Sequence, residues 1–237
     1  MYDNRLLYDL PGLLKDNPYP GRGIVLGKTP DGVNVAMYFI MGRSVNSRNR
    51  VFHAEGDALF IRIHDMNHLN NASLILYQPV RAWGDHLIVT NGDQTDTIYQ
   101  ALSSGGTLMS ALDTRQHEPD APHFTPRISG LLPFFGTTVT LSVLRAGDAW
   151  GKRCDGLTYR YDLTPGEGRF VHTYLGDGNP LPSFQGEPAR VKLPKDIPAF
   201  SEAVWHSLNA DNRVALYARA QGQPAQVYNR HTTGGEL

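Results

Sequence analysis

The sequence predicts an α+β protein, a four-layer α/β/β/α sandwich of two mostly antiparallel sheets. Three observations lead there. Short runs of strand-like apolar and β-branched residues fill 22–90, return over 127–175, and return again over 214–229. Turn residues punctuate those runs at strand-length intervals, as in Thr29-Pro30-Asp31-Gly32, Glu55-Gly56-Asp57 and Gly84-Asp85. The period lengthens to that of a helix only in the middle, over 95–114, and near the end, over 197–208. Strands in two batches, with helices between and after them, fit two stacked sheets flanked by helices. A β-rich α+β fold built on one sheet is the alternative.

In chain order, residues 1–18 read as an extension that ends in Lys15-Asp16-Asn17-Pro18, and 19–237 as one domain. Strands are expected at 22–27 and 33–41, then as a hairpin across 52–63 with Leu59, Ile61 and Ile63 alternating. Residues 74–77 and 80–83 are extended, and Gly84-Asp85 turns the chain into a strand at 86–90. Two helices follow, 95–103 and 107–114, separated by Ser104-Gly105-Gly106, with Asp93 and Thr95 as candidate N-caps of the first. A polar, irregular stretch covers 116–124. Strands resume at 127–130, 137–145, 157–162 and 169–175. After the helix at 197–208, a hairpin of 214–220 and 225–229 closes the chain. There are no repeats, no low-complexity segment and no internal domain boundary.

The 237 residues are 41% hydrophobic and 19% charged, enough apolar material for a core of that size. A formal charge of -1 and a pI near 6.7 argue against a general nucleic-acid binder. Cys154 is the single cysteine, which excludes an internal disulfide and a cysteine-rich zinc site. The polar start gives no signal peptide, and no apolar run reaches the roughly 20 residues of a membrane span. A cytoplasmic protein is expected, with neither nucleic acid nor membrane as partner.

Two loops carry candidate chemistry. Gly42-Arg43-Ser44-Val45-Asn46-Ser47-Arg48-Asn49-Arg50 packs three arginines, two asparagines and two serines between apolar strands. Guanidinium groups offer paired donors suited to phosphate or carboxylate oxygens, and Arg48 and Arg50 fall on one side of an extended chain. A solvated hairpin loop is the competing reading. The second loop, Thr90-Asn91-Gly92-Asp93-Gln94-Thr95-Asp96-Thr97, joins a strand to a helix N-terminus, whose amides favour an anion. An Asn-Gly turn with a capped helix explains the same residues without a ligand. Tyr77 ends an apolar strand, where packing is the ordinary role of a tyrosine. Glu118 and Asp120, with His117 and His123 nearby, are candidates for moving protons. Their spacing does not suit zinc, so no metal is expected. No nucleophile elbow, Walker loop or dinucleotide fingerprint is present.

Four motifs stand in one order: Tyr19-Pro20-Gly21-Arg22; Gly42-Arg43-Ser44 with Asn49-Arg50; Thr90-Asn91-Gly92 with Thr95-Asp96-Thr97-Ile98; and Thr125-Pro126-Arg127-Ile128. Together they resemble the archaeal-type IMP cyclohydrolase family. The resemblance implies an α/β/β/α fold like that of N-terminal-nucleophile hydrolases. It also implies conversion of 5-formamidoimidazole-4-carboxamide ribotide (FAICAR) to IMP and water, in purine biosynthesis, without metal or organic cofactor. A homo-oligomer, such as a tetramer, is implied too. By position, Arg50 resembles the family's substrate-contacting arginine, Tyr77 its active-site tyrosine, and Glu118 its carboxylate, with Asp120 the rival. The ribotide would be held by Arg22, Arg43, Arg48, Asn49, Asn91, Gly92, Asp93, Thr95, Asp96, Thr97 and Arg127. The chain departs from the family in its 18 leading residues and in a longer Arg-rich loop that adds Arg48. A true N-terminal nucleophile is not on offer, since Asn17-Pro18-Tyr19-Pro20 stands where one would be needed. An amidohydrolase on the same fold and a non-catalytic ribotide-binding protein remain the alternatives.

Overall fold

The structure is a computed structural model, and it describes residues 2–68 and 77–231. Of the extended segment expected at 74–77, all but Tyr77 lies outside those residues. The first helix, α1 (Leu10–Asp16), is set by Asp9, whose carboxylate accepts from the Gly12 amide at 2.9 Å, and by Pro11 in the first turn. A hairpin follows, β1 (Arg22–Lys28) with β2 (Asn34–Met41). The single helical turn α2 (Val45–Arg48) then carries the chain to a second sheet. That sheet is a seven-stranded antiparallel meander in sequence order. Its strands are β3 (Arg50–Glu55), β4 (Ala58–Ile63), β5 (Val80–Trp83), β6 (His86–Thr90), β7 (Arg127–Pro133), β8 (Thr138–Ala146) and β9 (Cys154–Asp162). Helices α3 (Gln94–Ser103) and α4 (Leu108–Leu112) fill the interval between β6 and β7.

The chain returns to the first sheet with β10 (Glu167–His172) and β11 (Ala189–Lys192). Helix α5 (Ile197–Ser207) and the hairpin β12 (Arg213–Ala220) and β13 (Gln226–Asn229) complete it. This six-stranded sheet has the order β11-β10-β1-β2-β12-β13 and is antiparallel throughout.

Strand β2 shows why the layers stack as they do. All eight of its residues are buried, as a strand covered on both faces requires. Val35, Met37, Phe39 and Met41 face α1 and α5, among Leu10, Leu14, Ile197 and Val204. Ala36, Tyr38 and Ile40 face the second sheet, among Phe52, Leu59, Val89 and Leu141. On the far side of that sheet, Ile98, Leu102, Leu108 and Leu112 of α3 and α4 cover Ile88 and Leu144. The order is therefore helix, sheet, sheet, helix, the expected sandwich, and the single-sheet alternative is excluded.

Some elements differ from expectation. The strand expected to reach residue 175 stops at His172, because the Thr173 and Tyr174 amides donate to the carbonyls of Arg22 and Pro20 instead. Helix α1 and strand β11 were not anticipated. The leading segment is tied in by Tyr8, which bridges Val191 of β11, and by fully buried Leu10 and Leu14. The Arg-rich loop opens as a helical turn because Ser44 and Ser47 cap each other's amides reciprocally. Among the described residues, no helix is long and apolar enough to cross a membrane.

Candidate active site

At one end of the sheet pair, the starts of β1, β3 and β7 and the end of β6 converge. Gly21 makes this possible at β1. Its φ is +78°, and a Cβ there would overlap the Thr173 hydroxyl and the Tyr174 ring. The backbone thus passes tight against Tyr174, and the Arg22 amide donates to Thr173 Oγ1 at 3.1 Å. The Arg22 guanidinium makes no hydrogen bond to any described residue, and its Nε is buried. Burial opposes its charge, yet Tyr174, Tyr19, Tyr77 and Tyr38 around it outweigh that and hold its pKa above the ordinary value.

Arg50, the first residue of β3, is 2% exposed. It donates to backbone carbonyls only, Ser47 O at 2.8 Å and Met41 O at 3.4 Å. Burial and then the Arg22 charge lower its pKa. Two guanidinium groups therefore share an enclosed space, and neither forms an ion pair with a described carboxylate. Buried charges without counter-ions are costly unless something anionic meets them. Tyr77 stands beside them, its hydroxyl 2.7 Å from that of Tyr38. Burial raises the Tyr77 pKa, while Arg50 and Arg22 pull the other way.

The Asn91–Asp93 loop forms the opposite wall. Asn91 is stitched to β7, its amide donating to Pro126 O at 2.8 Å and its oxygen accepting from Ile128 N at 2.8 Å. A Cβ on Gly92 would lie 2.6 Å from Arg127 Nη1 and 2.9 Å from Glu118 Oε1, so only glycine allows those two side chains to lie over the loop. Arg127 is gripped by the Gln116 carbonyl, Asp93, Gln94 and Glu118, at 2.6 to 3.1 Å. Asp93 occupies the N-cap position of α3 but makes no capping bond; Arg127 and Arg115 hold its carboxylate. Burial works against its ionisation, and the two arginines outweigh it, so its pKa is lowered.

Glu118 and Asp120 both line a cavity of about 120 Å³, together with Arg22, Asn91, Pro119 and Thr125. They differ in how they are held. Asp120 accepts from the Thr125 amide at 2.7 Å and the Thr125 hydroxyl at 2.5 Å, and that hydroxyl also meets Tyr174. Both Asp120 oxygens are thus committed to shaping the loop. Among the described residues Glu118 is paired to Arg127 alone, and burial raises its pKa in spite of Arg127 and Arg22. A carboxyl group with a raised pKa beside buried arginines suits proton transfer better than a locked one.

Of the residues expected from sequence, the structure brings together Arg22, Arg50, Tyr77, Asn91, Gly92, Asp93, Glu118 and Arg127. Thr95 is close by, but its hydroxyl is buried against Thr90 and the Gly92 carbonyl. Asp96 is exposed and paired to Arg81 at 2.7 Å, and Thr97 sits within α3. Arg43 lies over the Tyr19 ring and is paired to Asp177. Arg48 donates to Gly42 O and Asn212, and it lines a separate cleft of about 290 Å³ with His64, Arg230 and His231. Asn49 clasps the Asp65 backbone through both ends of its amide. Sequence reasoning missed Tyr38, Tyr19 and Tyr174. A hydroxyl in the otherwise apolar run of β2 was the signal for Tyr38, since a buried phenol needs a partner.

A family model described as IMP cyclohydrolase-like protein matches residues 19–224. The IMP cyclohydrolase of Methanopyrus kandleri is 35% identical over 114 residues, 47% of this chain and 57% of the relative. That of Methanothrix thermoacetophila is 30% identical over 148 residues, 56% of this chain and 71% of the relative. That of Thermococcus kodakarensis is 32% identical over 163 residues, 68% of this chain and 75% of the relative. The chain thus spans little more than half the length of the Methanopyrus protein.

Proposed function

The chain belongs to the IMP cyclohydrolase-like protein family, and on that premise we propose that it closes the purine ring of FAICAR to give IMP and water. The observation that carries this reading is the enclosed pair Arg22 and Arg50, without carboxylate partners among the described residues, beside Tyr77, with Arg22 and Glu118 lining one small cavity. In the reaction the carboxamide nitrogen attacks the formyl carbon, and a C–N bond forms. The formyl oxygen gains charge, takes up one proton from the attacking nitrogen and one from the formamide nitrogen, and leaves as water as its C–O bond breaks and the ring C=N bond forms. Holding the two groups in contact is worth roughly 7–11 kcal/mol of barrier. Arg50 and Tyr77 donate to the formyl oxygen as its charge develops. Glu118 carries a proton between the attacking nitrogen and the departing oxygen. Arg22, set among Tyr174, Tyr19, Tyr77 and Tyr38, faces the anionic ribotide. No nucleophile of the protein takes part.

The test is direct. Purified chain is mixed with synthetic FAICAR, and growth of the ultraviolet absorbance of IMP is followed; no product at any pH between 6 and 9 removes the proposal. Arg50→Ala and Tyr77→Phe are each expected to lower kcat about 10²- to 10³-fold, the usual loss for one oxyanion donor. Wild-type turnover in both would refute the assigned roles. The same reading makes the protein a cytoplasmic homo-oligomer, which sedimentation at micromolar concentration checks.

A further inference from the structure

The Tyr38–Tyr77 contact has a direction, and it assigns Tyr38 a part in the site. Tyr38 is fully buried in the middle of β2, its ring stacked on Phe52 of the facing sheet at 5.6 Å and 21°. Its hydroxyl has a single hydrogen-bond partner among the described residues, Tyr77 at 2.7 Å, and Tyr77 likewise has only Tyr38. A phenol has one proton to give and lone pairs to receive. If Tyr77 gave its proton to Tyr38, the Tyr38 proton would be buried with no acceptor among the described residues, a desolvation penalty that nothing offsets. If Tyr38 donates to Tyr77, the proton of the fully buried phenol has its acceptor, and the proton left over belongs to Tyr77, which is only partly buried and can offer it to solvent or to a ligand. The second arrangement is favoured by that difference.

We propose that Tyr38 is a positioning residue, donating to the Tyr77 oxygen so that the Tyr77 proton is presented to the oxygen of the substrate on which charge develops. The inference rests on the cyclohydrolase reading and deepens it. As Tyr77 gives hydrogen-bond density to the substrate, its own oxygen becomes more negative, and the Tyr38 donor strengthens in step. The charges of Arg50 and Arg22 act on the same oxygen, and their effect on both phenols runs towards ionisation. Burial holds Tyr38 further from ionisation than the ordinary phenol, which keeps its proton in place as a donor.

A double-mutant cycle tests this with the full chain. Tyr38→Phe keeps the ring and the Phe52 stack and removes one oxygen. Its kcat is expected to fall 10- to 100-fold with KM within threefold of wild type. In a Tyr77→Phe background, adding Tyr38→Phe is expected to change kcat less than twofold, because Tyr38 acts only through Tyr77. Equal losses in both backgrounds, or unchanged kcat in the single variant, overturn the proposal. A second variant guards against misfolding: 3-fluorotyrosine at position 38 preserves packing and is a stronger donor, so kcat is expected at or above wild type. A threefold or greater fall reverses the direction of the bond and overturns the proposal. A wild-type chain inactive on FAICAR takes down the cyclohydrolase reading and this inference together, whereas active wild type with additive losses takes down this inference alone.

Discussion

Arg127 shows how single residues set the site. It holds Glu118, Asp93 and Gln94 in one fan of hydrogen bonds while 7% exposed. Its charge stabilises the Glu118 carboxylate against the burial that raises the Glu118 pKa. Removing that charge leaves burial less opposed, so in Arg127→Gln the Glu118 pKa rises further. If Glu118 must be ionised to accept a proton, the acid limb of the kcat profile of Arg127→Gln moves to higher pH than in wild type. A limb that stays put, or moves to lower pH, sinks the assignment of Glu118 as the base. Gly92 is the matching steric constraint. Its missing Cβ leaves the space that Arg127 Nη1 and Glu118 Oε1 occupy, each of them under 3 Å from where that atom would stand. Gly92→Ala should therefore separate that pair and lower kcat about tenfold or more, with a fall in thermal midpoint of a few degrees. A fully active Gly92→Ala protein, read in the same assay, would show that the close approach is not needed.

At the level of elements, legibility followed periodicity. Strands such as central β2 and the β3–β4 hairpin declare themselves by apolar runs and turn residues, and so do α3 and α5. Strand β11 has four residues and α1 has seven, too few for a period to show; α1 is defined by Asp9 and Pro11, a signal confined to its first turn. The site was legible in part for a related reason. Arg50 and Glu118 stand in segments whose composition invites attention, whereas Tyr38 is hidden in a hydrophobic strand and matters only through a residue 39 positions away. Arg48, two residues before Arg50, shares its side only on an extended chain; the α2 turn breaks that alternation, so Arg48 lines a cleft with His64 and His231 while Arg50 turns to the Ser47 and Met41 carbonyls. Helix α1 also carries a prediction. Leu14 is 1% exposed among Met37, Phe39 and α5 residues. Leu14→Ala should lower stability by about 2–5 kcal/mol in urea unfolding without changing KM for FAICAR. A change below about 1 kcal/mol would mean that α1 is dispensable to the core.

Across the whole molecule, one buried imidazole joins the leading segment to the site. His172 Nε2 meets the Tyr2 hydroxyl at 2.7 Å, and its Nδ1 meets the Tyr174 carbonyl at 2.8 Å. A carbonyl only accepts, so Nδ1 carries the proton and Tyr2 donates to Nε2. The ring stacks on Phe170 and meets Phe184 edge-on, each at 4.9 Å. Burial lowers its pKa from 6.5 to about 4. Between those values the unfolded chain binds a proton that the native one refuses. The contribution of His172 is therefore complete above pH 6.5, is lost as pH falls towards 4, and changes no further below that. The loss over the window is about 3 kcal/mol, from about 1.4 kcal/mol per pH unit. Carboxylates with lowered pKa, such as Asp93, lose their contribution only below their ordinary value of 3.8, under this window. Glu118, with a raised pKa, works in the opposite sense above 4.5, so wild type alone does not isolate the histidine. The difference between wild type and His172→Gln does. Urea unfolding free energies at pH 7.5, 5.5 and 4.5 should fall for wild type and stay nearly level, from a lower start, for His172→Gln. Parallel curves for the two proteins would mean that the imidazole takes up its proton without leaving the native structure. The Tyr2 hydroxyl would then have to turn aside, and the leading segment would come loose before the sheets do.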